Sequence, residues 1–137
     1  MKFLIVLSIL FTGITFGLNA QSKATPAPSL EVYYFHATGR CVTCLAVEEN
    51  TQKFLESNFK PEMQSGVIKF TAFNVDEEKN KALVEKYQIS FSTLLIINLK
   101  DQKPVVTDFT NNAFKYAHTN PTKYSQLLVA EIQKNLN

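Results

Sequence analysis

A chain of 137 residues, with 45% hydrophobic and 19% charged residues, has the length and composition of one folded globular domain. The formal net charge is only +2, and lysines and arginines are scattered rather than clustered. This balance gives no electrostatic basis for binding nucleic acid or an anionic membrane surface, so neither is expected as a partner.

The first twenty residues have the three parts of a secretory signal peptide. Lys2 is followed by an apolar run over residues 3–18, and the small residue Ala20 precedes Gln21. The alternative is a permanent membrane anchor, but the run is shorter than the roughly 20 apolar residues that span a bilayer. We expect cleavage near Ala20, no stable membrane insertion afterwards, and a periplasmic or secreted protein beginning at or near Gln21.

The mature chain begins with a short leader and then a domain over residues 30–137. Residues 21–29 are polar and contain Pro26 and Pro28, which indicates an extended segment. The β-forming residues from Leu30 to Phe35 predict a strand. The helical spacing of apolar residues between Cys41 and Phe59 predicts a helix that ends at Lys60-Pro61.

The sequence of the middle of the domain predicts three further strands and one helix. A strand is predicted over residues 67–75, and Asp76 is expected to cap a helix whose buried face includes Tyr87. The apolar run over residues 94–97 indicates a strand covered on both faces. Residues 103–109 are its expected antiparallel partner, and Pro104 favours an edge position for them.

The remaining segment completes the predicted order βα-βα-ββ-α. Residues 110–119 are polar and are expected to form an irregular insertion, whereas Asn120-Pro121 predicts the start of a final helix. Alternating strands and helices predict an α/β domain with a mixed four-stranded sheet and helices on both faces.

The only two cysteines, Cys41 and Cys44, lie where the first strand gives way to the first helix. Unpaired N–H groups at a helix start stabilise a thiolate, and the neighbouring Arg40 adds a positive charge. We therefore predict that Cys41 is the attacking sulfur in disulfide exchange. Cys44, one turn further along the helix, is then the sulfur that releases the mixed disulfide.

Two other roles remain open for this pair of cysteines. An exported protein can carry a disulfide only as a structural link, although closing a four-residue ring stabilises a fold by only about 2 kcal/mol. The pair can also bind a soft metal or an iron–sulfur cluster, with His36 as a third ligand. No other cofactor is expected.

Other ionisable side chains near the cysteines offer weaker hypotheses. His36 can tune Cys41, but a histidine at the end of a strand is more often only partly exposed. Glu48 and Glu49 can relay a proton, although a solvated helix face explains both residues better. His118 lies in the expected insertion and receives no role.

These features together resemble the thioredoxin family over roughly residues 30–136. The resemblance rests on a strand followed by the CxxC motif at a helix start, on Asn74-Val75-Asp76 at the end of the second strand, and on residues 86–95. It implies a compact thioredoxin-like fold, a nucleophilic Cys41 and a buried resolving Cys44. Thr93 matches the threonine after the family's cis-proline, which places Ser92 at the proline position beside the substrate groove.

Ser92 is the main departure from the family pattern. A cis peptide before a residue other than proline costs about 3–4 kcal/mol, so we expect the Phe91–Ser92 bond to be trans. Without the proline ring, the reduced cysteines are expected to be more open to soft metals. The family's buried acid aligns with Tyr34 and its lysine companion with Ala72, which leaves the proton acceptor for Cys44 undetermined.

The sequence therefore predicts an exported bacterial thiol–disulfide exchange protein. Its expected partners are protein or small-molecule thiols and disulfides, together with a redox donor or acceptor protein. The alternatives are a soft-metal or iron–sulfur carrier and an interaction domain with an inert disulfide. The direction of exchange is left open by the sequence.

Overall fold

The computed structural model describes residues 27–101 and 103–137. Four strands form one sheet: β1 (Leu30–His36), β2 (Ile68–Asn74), β3 (Thr93–Asn98) and β4 (Val105–Asp108). Five α-helices accompany them: α1 (Val42–Asn58), α2 (Lys60–Ser65), α3 (Lys81–Lys86), α4 (Thr110–Tyr116) and α5 (Pro121–Leu136). A 3₁₀ turn, Glu78–Asn80, precedes α3.

The strands lie side by side in the order β2-β1-β3-β4. β1 runs parallel to β2 and antiparallel to β3, and β3 pairs with β4 as an antiparallel hairpin. Val32, for example, stands opposite Phe70 on one side and Ile96 on the other. The mixed sheet confirms the predicted α/β class and the compact thioredoxin-like arrangement, with β4 at an edge as Pro104 suggested.

Helices cover both faces of the sheet because successive side chains of a strand point in opposite directions. On one face, Leu30, Val32 and Tyr34 of β1 are buried against helices α1, α4 and α5. The residues that these helices contribute include Val47, Leu55, Ala113, Tyr124, Leu128 and Ile132. On the other face, Phe35 packs with Leu95 and Ile97 beneath α3. α1 therefore holds its N-terminal turn at one end of β1.

The segment 110–119 is not the predicted irregular insertion, because it contains α4. Phe109, Ala113 and Ala117 are spaced four residues apart and are all buried, so they form one apolar helix face. The two asparagines that follow Thr110 are weak helix formers, and packing against the core overrides that local preference. The Thr110 hydroxyl also accepts a hydrogen bond from the N–H of Leu94 at 3.0 Å.

Two predicted helix boundaries also differ from the structure. Asp76 does not cap the following helix; its carboxylate accepts a hydrogen bond from the N–H of Thr38 at 2.7 Å, and α3 begins only at Lys81. The first helix ends before Lys60, as predicted. Lys60-Pro61 does more than end that helix, however, because both residues lie in the first turn of α2. Proline is tolerated there because a first-turn N–H has no partner within the helix.

The predicted signal segment, residues 1–20, and most of the leader lie outside the described residues. Within residues 27–101 and 103–137, no helix is both long and apolar enough to cross a bilayer. Ser29, the last residue of the leader, already contacts the sheet, because its N–H donates to the carbonyl of Val67 at 3.0 Å.

Candidate functional site

Cys41 is the N-cap residue of α1. Its backbone is extended, with φ −81° and ψ 164°, and its Sγ accepts a hydrogen bond from the N–H of Cys44 at 3.1 Å. Sulfur thus takes the place that a serine or aspartate oxygen takes at most helix starts. The same N–H and the positive end of the helix dipole would stabilise a negative charge on this atom after reduction.

Cys41 and Cys44 form a disulfide, with their Cα atoms 5.0 Å apart. The two residues differ in accessibility, because Cys41 is exposed whereas Cys44 is only 9% exposed. A partner molecule can therefore reach the sulfur of Cys41 far more readily than that of Cys44. This asymmetry is the one required of an attacking and a resolving cysteine.

Tyr34 lies beneath the disulfide and connects β1 to the first turn of α1. It is completely buried, and its hydroxyl donates a hydrogen bond to the carbonyl of Cys44 at 3.0 Å. Burial raises the pKa of Tyr34, although the charge of Arg40 and the hydroxyl of Ser92 act in the opposite direction. Tyr34 therefore remains a protonated donor that holds the resolving cysteine against the sheet.

Arg40, Glu48 and His36 form a charged group beside Tyr34. The Arg40 guanidinium pairs with the Glu48 carboxylate, and its carbon Cζ lies 5.9 Å from the centre of the Tyr34 ring. The His36 Nε2 atom is 4.0 Å from the same carboxylate, whereas its Nδ1 is 3.0 Å from the carbonyl of Ala37. The positive charge predicted to assist Cys41 is thus largely compensated by Glu48.

Ser92 and Thr93 lie at the start of β3, on the same side of the fold as the disulfide. No peptide bond in the described part of the chain is cis, so the Phe91–Ser92 bond is trans as predicted. The Ser92 hydroxyl is near that of Tyr34, and the buried Thr93 hydroxyl donates to the carbonyl of Phe91 at 2.8 Å. Ser92 therefore belongs to the surroundings of the Cys44 carbonyl, whereas Thr93 holds the turn before β3.

Apolar side chains are exposed near the reactive sulfur. Val42, directly after Cys41, is 65% exposed, and Leu45, one turn further along α1, is 48% exposed. Phe91, in the loop before Ser92, is 68% exposed. These side chains form an exposed apolar surface at this end of the fold.

The third metal ligand suggested by the sequence is not brought to the cysteine pair. His36 is directed to Glu48 and to the carbonyl of Ala37. Within residues 27–101 and 103–137, no cluster of three or more histidine, cysteine, aspartate and glutamate side chains could hold a metal ion. Metal binding by Cys41 and Cys44 alone remains as an expectation of the sequence.

Two features of the site were underestimated from the sequence. From the sequence, Tyr34 is only the residue at the position of the family's buried acid, and the favoured interpretation of Glu48 is a solvated helix face. Only a tertiary contact gives Tyr34 its partner, but the spacing of Arg40, Cys44 and Glu48 by four residues was a usable signal. That spacing places Glu48 on the same side of α1 as Cys44, whereas Glu49, one residue further along, is exposed.

Comparisons with known proteins bear on the fold alone. No family model matches the sequence, and no curated protein matches it. A solved structure described as the structure of a malarial protein matches with a TM-score of 0.50 and 22% identity. The match covers 80% of this chain and 99% of that one.

Proposed function

We propose that this chain is an exported thiol–disulfide exchange protein that acts through Cys41 and Cys44. The observation that carries the proposal is the position of the Cys41 sulfur. It is exposed at the N-terminus of α1 and accepts the N–H of Cys44, whose own side chain is buried. The resemblance of the CxxC segment and its surroundings to the thioredoxin family supports the same chemistry.

In the reducing direction the exchange has two steps. The Cys41 thiolate attacks one sulfur of a client disulfide, forming a Cys41–client disulfide and releasing the other client sulfur as a thiolate. The Cys44 thiol then loses its proton to a base and attacks the Cys41 sulfur. The bond between the two cysteines forms, the second client sulfur leaves with its electron pair, and the client has been reduced by two electrons. The oxidising direction reverses these steps.

The expected location and partners follow from the N-terminal sequence and from this chemistry. Residues 1–20 have the pattern of a cleaved signal peptide, and a periplasmic or secreted location permits disulfides to persist. The clients would be proteins or small molecules that carry thiols or disulfides. A second redox protein would restore the active form of the cysteine pair after each cycle.

The reduction potential of the Cys41–Cys44 pair tests this proposal. We expect equilibration with glutathione buffers to give a value between roughly −120 and −270 mV, as for known exchange proteins. A value below about −300 mV would identify an inert structural disulfide instead. Metal analysis of protein purified under reducing conditions without oxygen separates the remaining alternative, because a carrier would retain stoichiometric copper, zinc or iron.

A further inference from the structure

The step in which Cys44 releases the mixed disulfide requires a base. Cys44 is only 9% exposed, and burial penalises the charged thiolate relative to the neutral thiol. Bulk water reaches such a sulfur poorly, so a carboxylate or imidazole close to it would accelerate the loss of the proton. The resolving step therefore depends on which ionisable groups lie next to Cys44.

Glu48 is the carboxylate that α1 places next to Cys44. The two residues are four positions apart within α1, so they lie on the same helix face with Cβ atoms about 5–6 Å apart. The Glu48 side chain is 30% exposed, which leaves it partly desolvated but in contact with water. Glu49 has the same charge and the adjacent position, roughly 100° further round the helix, and it is exposed.

The orientation of Glu48 is maintained by contacts from outside α1. Arg40, from the turn before the helix, pairs with its carboxylate, and His36 of β1 brings Nε2 to 4.0 Å from the same oxygen. Besides burial, the charge of Glu48 contributes to the raised pKa of Tyr34, another residue of β1. The lowered pKa of Asp76, in the turn after β2, comes mainly from hydrogen bonds, and the charge of His36 is its smallest cause. Arg40 and His36 thus fix the position of the Glu48 carboxylate from outside the helix.

We propose that Glu48 accepts the proton of Cys44 through an intervening water molecule when the mixed disulfide on Cys41 is resolved. This inference rests on the proposed function. The S–H bond of Cys44 breaks with its electron pair left on sulfur, and the proton passes to a Glu48 oxygen and then to solvent. In the reverse direction, protonated Glu48 returns the proton to Cys44 as the intramolecular disulfide opens.

The test uses the reduced full chain and one equivalent of the aryl disulfide dithiobisnitrobenzoate. Attack by Cys41 releases one coloured thiolate, and resolution by Cys44 releases a second, so stopped-flow absorbance separates the two steps. At about pH 7 we expect Glu48→Gln to slow the second release at least tenfold without slowing the first. The difference should vanish at high pH, where hydroxide removes the proton. Glu49→Gln, the matched control, should stay within about twofold of the unmodified chain.

A second variant separates proton transfer from a merely structural role of the ion pair. Arg40→Gln breaks the same ion pair but retains the carboxylate, so its second release should be slowed much less than that of Glu48→Gln. Equal slowing in both variants, or equal rates in Glu48→Gln and Glu49→Gln at every pH, would overturn the assignment. Far-ultraviolet circular dichroism of each variant checks that α1 is intact.

The reagent makes this test independent of the proposed function. Dithiobisnitrobenzoate reacts with accessible thiols whatever the chain does in the cell. If Glu48→Gln releases the second thiolate as fast as the unmodified chain, Glu48 is not the base, but the exchange proposal is unaffected. If the reduction potential instead identifies an inert disulfide, the two releases of coloured thiolate can still be measured.

Discussion

Helix position and burial distinguish two cysteine side chains that are chemically identical. Cys41 precedes α1, where the N–H of Cys44 points at its sulfur, whereas Cys44 is inside the first turn and packed over Tyr34. The first environment stabilises a thiolate and exposes it, and the second shields the sulfur from solvent. At this scale the difference in reactivity that we predict rests on backbone geometry and not on a neighbouring cation, because Arg40 is paired with Glu48.

Cys41 should accordingly be the thiol that is alkylated first. After reduction, substoichiometric iodoacetamide near neutral pH should label Cys41 at least about tenfold faster than Cys44. Peptide mass analysis measures the ratio, and the same reaction in denaturant, where the labelling should become nearly equal, is the control. Preferential labelling of Cys44 in the folded protein would reverse the roles assigned to the two sulfurs.

Contacts between elements hold the turn that carries the site. The turn from β1 to α1 is linked to the end of β2, because Asp76 accepts the N–H of Thr38 and the Asn74 amide donates to the Thr38 hydroxyl at 3.0 Å. The hydrogen bond from the Thr38 N–H is the main cause of a lowered pKa for Asp76, followed by that from the Thr38 side chain. The link is therefore strongest while Asp76 is ionised.

The sign of the resulting pH dependence is determined by this shift. The folded-state pKa of Asp76 lies below its ordinary value of 3.8, so its contribution to stability is complete above that pH and is lost as the pH falls through the lowered value. We expect Asp76→Asn to be less stable than the unmodified protein at about pH 7, with a difference that shrinks under acid conditions. Urea unfolding of both proteins across this pH range measures the difference in the free energy of unfolding. A difference that does not change with pH would contradict the role assigned to Asp76.

For the whole molecule, stability comes from two apolar layers rather than from the disulfide. The larger layer joins β1 to α1, α4 and α5, and the smaller one joins the opposite face of the sheet to α3. The disulfide closes a sequence separation of only three residues and therefore restricts the unfolded chain little. A redox-active pair requires this independence, because the protein must remain folded in both oxidation states.

Reduction should therefore lower the free energy of unfolding by only about 2 kcal/mol, against the roughly 5–15 kcal/mol typical of a domain. Urea unfolding with and without a thiol reductant measures the change, and the double variant Cys41→Ser, Cys44→Ser should match the reduced protein. Loss of the folded state on reduction would show that the disulfide is a structural requirement.

Local patterns in the sequence were sufficient for the sheet and most of the helices. The β-forming residues of Leu30–Phe35 and the apolar run over residues 94–97 predicted β1 and β3. Asn120-Pro121 marked the start of α5, where the Asn120 side chain accepts the N–H of Lys123. These signals succeed because strand burial, capping and proline geometry act within a few residues. The placement of Cys41 at a helix start was determined in the same way.

Other features were decided only by tertiary structure. The polar composition of residues 110–119 concealed α4, because its two buried positions, Thr110 and Ala113, acquire their helical preference from the core they contact. Asp76 binds Thr38 instead of capping a helix, and Tyr34 reaches the Cys44 carbonyl, only because β1, β2 and α1 meet at one end of the sheet. The sequence by itself determined the CxxC pair and its position at the start of α1. Three-dimensional packing determined the surrounding charges, because contacts between distant segments leave no local pattern.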